Sequence, residues 1–220
     1  MLKPVLNHDW NLTPKEAARL QNELAVRVLQ EPLKPAPKLI AGIDVSVRGD
    51  RVRTAIVVLS LPDLQVVDEA VWMGDVQFPY VPGLLSFREI PAIIPALERL
   101  KTRPDLLMLD GQGRAHSRRL GLACHVGVLY DMPAIGVAKS RLIGVAEEPG
   151  QTKGSTSDLM DGDEQIGLVV RTRDRVKPVF VSVGHRIDLA GALKWTLAST
   201  DRYKIPEPTR LAHHLSKRTN

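Results

Sequence analysis

Three carboxylates in the first half of the chain are the side chains best suited to metal chemistry. Asp44 lies in a stretch that alternates apolar and polar residues, which places it on the strand face opposite Ile43 and Val45. Asp110 directly follows an apolar run, at the carboxyl end of a predicted strand, where the ligand sites of open α/β sheets collect. Glu89 lies between them in the sequence, shortly before a proline that either begins or kinks a helix.

Each of these acids also has an ordinary alternative explanation. Asp44 could face solvent from a half-exposed strand, Asp110 could cap a helix or a turn, and Glu89 could be a surface acid. Together they supply hard oxygen ligands, which suit magnesium or manganese better than zinc. Such ions activate water and stabilise the leaving oxygen of a displaced phosphodiester, so the trio indicates a metal-dependent enzyme that cuts a nucleic-acid backbone.

The elements that must position these acids follow from capping, turn and periodicity signals. The predicted helices cover 14–29, part of 84–101, 115–130, 188–199 and 208–217. The predicted strands cover 38–47, 53–61, 64–73, 105–110, 134–138, 164–173 and 178–185. Short turns join the first three strands, which indicates an antiparallel meander, and the strand–helix–strand order that follows indicates parallel pairing. This order predicts an α/β fold with a ribonuclease H-like mixed sheet flanked by helices.

Composition narrows the class of protein. The chain suits one domain over residues 1–220, and no apolar run reaches the about 18–20 residues that a membrane-spanning helix needs. The amino-terminal residues lack the order of a signal peptide, so we expect a cytoplasmic protein. Cys124 is the only cysteine, which excludes an internal disulfide and a multi-cysteine zinc site, and we expect it to be buried. A formal net charge of +5 is compatible with a polyanionic partner.

Five motifs, in order along the chain, resemble those of the endonuclease V family, the deoxyinosine 3′-endonucleases. They are AGIDVS at 41–46, PYVPGLLSFRE at 79–89, DGQGRAH at 110–116, GVAKSRL at 136–142 and PEPTRLAH at 206–213. The second and third motifs are long and specific. The resemblance implies a ribonuclease H-like fold, a requirement for magnesium (with manganese as a substitute) and recognition of deaminated purines, chiefly deoxyinosine, in DNA.

The resemblance also implies a reaction and the residues that perform it. The reaction is hydrolysis of the second phosphodiester bond 3′ to the lesion, which leaves 3′-hydroxyl and 5′-phosphate ends. Carried over by position, Asp44, Glu89 and Asp110 are the metal-binding and catalytic acids. His213 resembles the family's carboxy-terminal catalytic histidine, but His214 follows directly and could take that role instead.

Further residues are implied to engage the DNA and the lesion. The loop formed by Pro79, Tyr80, Val81 and Pro82 aligns with the family's strand-separating wedge, although by itself it would be a rigid surface loop. The positions that match the family's base pocket are Gly83, Leu85, Gly111, Gly121, Leu122 and Leu142. Candidates for binding phosphate oxygens through charge-assisted hydrogen bonds are Arg88, His116 and Lys139, each of which would otherwise be a solvated or capping residue.

Three functions remain open on the sequence. The first is a magnesium-dependent endonuclease for deoxyinosine in DNA, the second an inosine-specific ribonuclease of the same family, and the third a non-catalytic lesion-binding protein. The compact length favours DNA over inosine-containing RNA. All three acids are present, which argues against a simple binder, because binding phosphate does not need three negative charges. We expect a monomer that does not associate with a membrane.

Overall fold

The computed structural model describes residues 2–218, which contain eight strands and five helices. The strands are β1 Leu39–Arg48, β2 Arg51–Ser60, β3 Val66–Asp75, β4 Leu106–Leu109, β5 Ala134–Ala138, β6 Thr156–Asp161, β7 Glu164–Val170 and β8 Val179–His185. The helices are α1 Pro14–Ala25, α2 Leu85–Glu98, α3 Leu122–Tyr130, α4 Leu189–Ala198 and α5 Glu207–Lys217. Within the described residues, every helix is too short or too polar to span a membrane.

All eight strands belong to one mixed sheet in the order β3-β2-β1-β4-β5-β8-β7-β6. The first three strands pair antiparallel, and β1, β4 and β5 pair parallel. Strands β8, β7 and β6 then extend the sheet with antiparallel pairs. The predicted ribonuclease H-like sheet is therefore confirmed. Strand β6 was not predicted, because at the sheet edge it buries only Leu159 and shows no apolar alternation.

Helices cover both faces of the sheet, and alternation along the strands decides which face each side chain meets. Ile43 of β1 and Leu107 of β4 belong to the cluster that α2 and α3 cover. Ile40 of β1 and Met108 of β4 belong to the cluster on the opposite face, beneath α4 and α5. Asp44 follows Ile43, so it points to the face that carries α5. The predicted separation of Asp44 from Ile43 is thus confirmed.

Helix α1 begins as predicted but ends earlier. Thr13 forms a capping box with Glu16, whose carboxylate accepts the Thr13 amide hydrogen bond at 2.8 Å, and Pro14 occupies the first turn. The predicted extension to residue 29 is wrong. The Leu29 amide instead donates to His185 Nδ1, and the Leu29 carbonyl accepts from the Arg186 amide. Both bonds tie this segment to the end of β8.

Helix α2 starts at Leu85 and runs continuously past Pro91, so the alternative of a helix beginning near Pro91 is wrong. An interior proline costs about 3 kcal/mol of helix stability. The burial of Ile90, Ile93 and other apolar side chains of α2 in the core offsets this cost. As a result, Glu89 lies within the second turn of a helix packed on the sheet.

Helix α3 begins at Leu122, not at residue 115 as predicted. The preceding segment 111–121 forms a compact loop, in which the Gly121 amide donates to the Gly113 carbonyl at 3.0 Å. Arg119 adopts a positive φ of 55°, which a helix does not allow. Cys124, in the first turn of α3, is fully buried as expected.

The close contact of α5 with β1 depends on Gly42. A Cβ atom at this position would overlap the carbonyl group of Pro208, which begins α5. We therefore expect Gly42→Ala to reduce the free energy of unfolding by about 1–3 kcal/mol, the usual cost of overpacking. Chemical denaturation measured by circular dichroism would test this, and a denaturation midpoint equal to that of the wild type would contradict the packing of α5 described here.

Candidate metal centre and adjoining pocket

Three ligand groups from separate elements converge at the carboxyl end of the parallel strands. Asp44 of β1, Asp110 after β4 and His213 of α5 place ligand atoms within 4.8 Å of one another. Parallel pairing brings the two acids together, because Ile43 pairs with Leu109 and the Asp110 amide donates to the Ile43 carbonyl at 3.2 Å. Carboxylate oxygens and an imidazole nitrogen at this separation could hold one metal ion.

Helix α5 supplies two polar contacts to Asp44, which is only 6% exposed. Ser216 Oγ donates a hydrogen bond of 2.6 Å to Asp44 Oδ2, and His213 Nδ1 lies 3.3 Å from Asp44 Oδ1. Residues three apart on a helix lie on one face, which explains why both side chains reach the same carboxylate. Ser216 was missed in the sequence; its only signal was its spacing from His213.

The neighbouring His214 is exposed on α5, so the histidine beside Asp44 is His213. Of the two positions that the sequence left open, only His213 is placed against the acids among the described residues. The one-residue difference matters because successive helical side chains point about 100° apart.

The acidic centre carries more negative charge than the surrounding protein balances. Burial, followed by the charges of Asp44 and Asp110, raises the pKa of Glu89 to about 8. Burial also raises the pKa of Asp110, although Lys139 forms an ion pair with this carboxylate. Glu89 is not among the three groups whose ligand atoms are closest, but the charges of both aspartates act on its carboxyl group. A divalent cation fits this donor set, because it would favour the ionised form of all three acids.

A cavity of about 390 Å³ opens beside Asp110. Its volume lies within the range of about 300–1,000 Å³ typical of ligand pockets. Of the positions named from the sequence, those that line it are Tyr80, Val81, Pro82, Gly83, Leu85, Asp110, Gly111, His116, Gly121, Leu122, Lys139 and Leu142. Pro79 and Arg88 do not line it. The lining residues that sequence reasoning missed are Gln21, Ser86, Gln112, Leu120, Ala138, Ser140 and Arg141.

Apolar side chains at the mouth of this cavity are unusually open to solvent. Tyr80 is 72% exposed, and Leu85 and Leu142 are also exposed. The Arg88 guanidinium lies 6.0 Å from the centre of the Tyr80 ring, at the limit of a cation–π contact. Arg88 therefore contacts the loop that carries Tyr80 and does not line the cavity.

The surroundings of His116 make its imidazole a neutral hydrogen-bonding group. Burial and the nearby Arg118 lower its pKa to about 4, so the imidazole is neutral at pH 7. Its Nε2 donates to the Gly83 carbonyl at 3.0 Å, and its Nδ1 accepts the Arg118 amide at 3.2 Å. In the structure both ring nitrogens bond the backbone of the pocket, and the role of His116 in binding phosphate stays a prediction.

The Gly83 carbonyl accepts two further hydrogen bonds, from Gln21 Nε2 of α1 at 3.1 Å and from the Arg118 guanidinium at 2.8 Å. Gln21 also donates to the Leu120 carbonyl at 3.0 Å. Gly83 itself has a φ of +78°, which glycine adopts without strain. These contacts fix the loop that leads from the wedge into α2.

The chain matches one protein family over most of its length. A family model described as Endonuclease V matches residues 22–214. Endonuclease V of Alkalilimnicola ehrlichii is 50% identical over 95% of this chain and 93% of that protein. For endonuclease V of Nostoc punctiforme the identity is 47%, over 96% of each chain.

Solved structures with this name have the same fold. The structure of endonuclease V from Streptomyces avermitilis superposes with a TM-score of 0.91 at 47% identity, covering 96% of this chain and 95% of that one. Ciona intestinalis endonuclease V, in complex with a 24mer DNA containing an inosine followed by a ribo-adenosine, gives a TM-score of 0.81 at 31% identity. That match covers 92% of this chain and 95% of the Ciona chain.

The raised pKa of Glu89 predicts how the stability of the metal-free protein depends on pH. In the unfolded chain Glu89 ionises near 4.5, whereas in the folded protein it keeps its proton until about pH 8. Between these values the folded state binds more protons, so the free energy of unfolding falls as pH rises. Glu89→Gln cannot ionise, so its free energy of unfolding should not show the decrease with pH that Glu89 causes. We therefore expect this variant to melt at a higher temperature than the wild type at about pH 8.

Scanning calorimetry in a metal chelator, from about pH 5 to about pH 8, would measure this effect. Glu69→Gln, which removes an exposed acid from β3, is the matched control and should follow the wild type. If the melting temperatures of the wild type and Glu89→Gln change with pH by the same amount across this range, Glu89 is not held protonated by its surroundings.

Proposed function

Because the chain belongs to the endonuclease V family and is a hydrolase of phosphodiester bonds, we propose that it cuts DNA beside deoxyinosine at the centre formed by Asp44, Asp110 and His213. One observation carries the assignment of the site: these ligand groups lie within 4.8 Å of one another and Asp110 also lines the adjoining cavity. The bond cut is the second phosphodiester 3′ to the lesion, leaving 3′-hydroxyl and 5′-phosphate ends.

Magnesium is the metal that suits these residues. Asp44 and Asp110 would hold it through carboxylate oxygens, with Glu89 as a further acid, and hard oxygen donors favour magnesium or manganese over zinc. When bound, the ion polarises the phosphodiester and activates water for attack. His213 is half-buried beside Asp44, where its imidazole would serve either as a further metal ligand or as a proton acceptor. Lys139, which is ion-paired with Asp110, would contact the phosphate.

The wedge and the cavity supply recognition of the lesion. Extruding a base from a duplex costs a few kcal/mol, and the exposed ring of Tyr80, on a loop stiffened by Pro79 and Pro82, would fill the vacated space. The extruded base would enter the cavity walled by Gly83 and Leu122. Backbone amides there could read the 6-oxo group of hypoxanthine, and tight walls would reject the 2-amino group of guanine.

DNA is the partner that the relatives support, since the Ciona protein was solved with inosine-containing DNA. The test is incision mapping on a labelled duplex with one deoxyinosine, with and without magnesium. We expect a single magnesium-dependent cut at the second phosphodiester 3′ to the lesion. A guanine-only duplex and an inosine-containing RNA are the comparison substrates. Equal cutting of the guanine-only duplex would refute the specificity, and faster cutting of the RNA would assign the activity to RNA.

Loss of either aspartate should abolish cutting. We expect Asp44→Ala and Asp110→Ala to lower the incision rate by about a thousandfold or more, because the metal would lose a ligand, while the affinity for the duplex largely survives. Asp163→Ala, which removes an exposed acid from the β6–β7 turn, is the matched control. Undiminished cutting by either active-site variant would refute this metal centre.

Loss of the wedge ring should weaken engagement of the duplex without affecting the metal. We expect Tyr80→Ala to reduce the affinity for an inosine-containing duplex by about tenfold, because the space left by the extruded base stays unfilled. Inosine-containing single strands, which need no strand separation, should bind nearly as before. Tyr203→Ala removes another exposed tyrosine and serves as the control. Unchanged duplex affinity measured by fluorescence anisotropy would show that Tyr80 is not a wedge.

A further inference from the structure

We infer that a second phosphate-binding site lies beside the metal centre and holds the DNA strand on the 3′ side of the cut. The site is a groove of about 170 Å³ between the β1–β2 hairpin and the end of α5. We call it the basic groove, and its cationic residues are Arg48, Arg51, Arg53, Lys217 and Arg218. This inference rests on the function proposed above, since it takes the direction of the strand from the position of the cut.

The register of the hairpin places this charge on the same face as the catalytic acid. Asp44, Ser46 and Arg48 alternate along β1, so their side chains share one face, and the spacing is about 7 Å per pair of residues. Cross-strand partners also share a face, which adds Arg53 opposite Ser46 and Arg51 opposite Arg48. The basic groove is therefore a continuation of the surface on which Asp44 lies.

Helix α5 joins the two sites physically. Ser216 lines the basic groove and also donates its hydrogen bond to Asp44. The Arg53 guanidinium donates to the Arg218 carbonyl, which holds the end of α5 against β2. The groove is thus built between a strand and a helix that are fixed to each other.

Little of the positive charge in the groove is balanced by acids. The one ion pair formed by these cations within residues 2–218 joins Arg51 to Asp75 at 2.7 Å, and both side chains remain largely exposed. Lys217 and Arg48 extend into the groove without an ion pair among the same residues. Guanidinium and ammonium groups arranged in this way bind phosphate oxygens by charge-assisted hydrogen bonds.

The order of strands in the sheet sets the direction of the DNA. The lesion cavity lies at the ends of β4 and β5, where it includes Gly111 and Lys139, and the basic groove lies on β1 and β2. The sheet order β2-β1-β4-β5 puts the acids between them. A strand with its lesion in the cavity and its scissile phosphate at the acids must continue toward β2. Because the cut is 3′ to the lesion, the segment that reaches the basic groove is the 3′ segment.

The test compares a groove variant with a matched control on three substrates. The groove variant combines Arg48→Gln and Lys217→Gln, and the control combines Lys101→Gln and Arg103→Gln. The control residues are exposed and precede β4, at the end of the parallel strands opposite Asp110. The substrates are an inosine-containing duplex with two long arms, one whose 3′ arm ends just past the cut, and one with a shortened 5′ arm. The measurements are kcat/KM for incision with magnesium and the dissociation constant by anisotropy.

We expect the groove variant to lose about tenfold in kcat/KM and in affinity on the long duplex and on the duplex with the shortened 5′ arm. On the duplex with the shortened 3′ arm it should match the wild type, which itself loses about tenfold there. The slope of log affinity against log salt should decrease by about one for each phosphate contact removed. The control variant should equal the wild type on all three substrates.

Several results would overturn the basic groove. An equal loss on all three substrates would mean that these cations do not act on the 3′ arm, and no loss on the long duplex would mean that they do not bind the DNA. An equal loss in the control variant would mean that the effect comes from the net charge of the protein and not from the basic groove. The difference in affinity between the substrates with shortened 3′ and 5′ arms is measured by anisotropy and does not need cutting. It therefore tests the basic groove separately from the proposed function. The proposed function fails if the wild type does not cut at inosine.

Discussion

The repulsion among three carboxylates is the constraint around which this structure is organised. Asp44, Glu89 and Asp110 come from three different elements, and bringing them together in a poorly solvated place is unfavourable without a cation. The fold opposes this repulsion with its strongest local features: parallel pairing of β1 with β4, a long apolar α2, and an α5 packed so closely that β1 needs glycine at position 42. Strand pairing and helix packing thus stabilise the fold enough to hold together a site that is itself destabilising.

Much of this arrangement could be predicted from the sequence because the relevant signals are local. Alternation placed Asp44 on the correct face, the apolar run before Asp110 marked a buried strand, and Thr13 marked the start of α1. The motifs added the trio of acids and most of the cavity wall. Boundaries that depend on tertiary bonds were missed: Leu29 bonds to the end of β8 and does not continue α1, and the segment before α3 is held as a loop by the bond from the Gly121 amide to the Gly113 carbonyl.

The parts of the site that escaped prediction are those whose role depends on partners far away in the chain. Nothing near Gln21 indicates that it bonds a carbonyl 62 residues away, and only its spacing from His213 marks Ser216 as a partner of Asp44. The charge state of His116 is equally invisible in the sequence, because it follows from burial and from the placement of Arg118. Residue type suggested a cation, and the environment made it a neutral hydrogen-bonding group.

The carbonyl oxygen of Gly83 has a consequence for redesigning the enzyme. It is gripped from α1 by Gln21 and from the loop before α3 by His116 and Arg118, so three distant segments behave mechanically as one body at the entrance of the cavity. A variant meant to admit a bulkier ligand into the cavity cannot be made by altering the loop at residues 79–82 alone. The first helix must be remodelled with it, and a library restricted to the loop would sample shapes that this anchor does not permit.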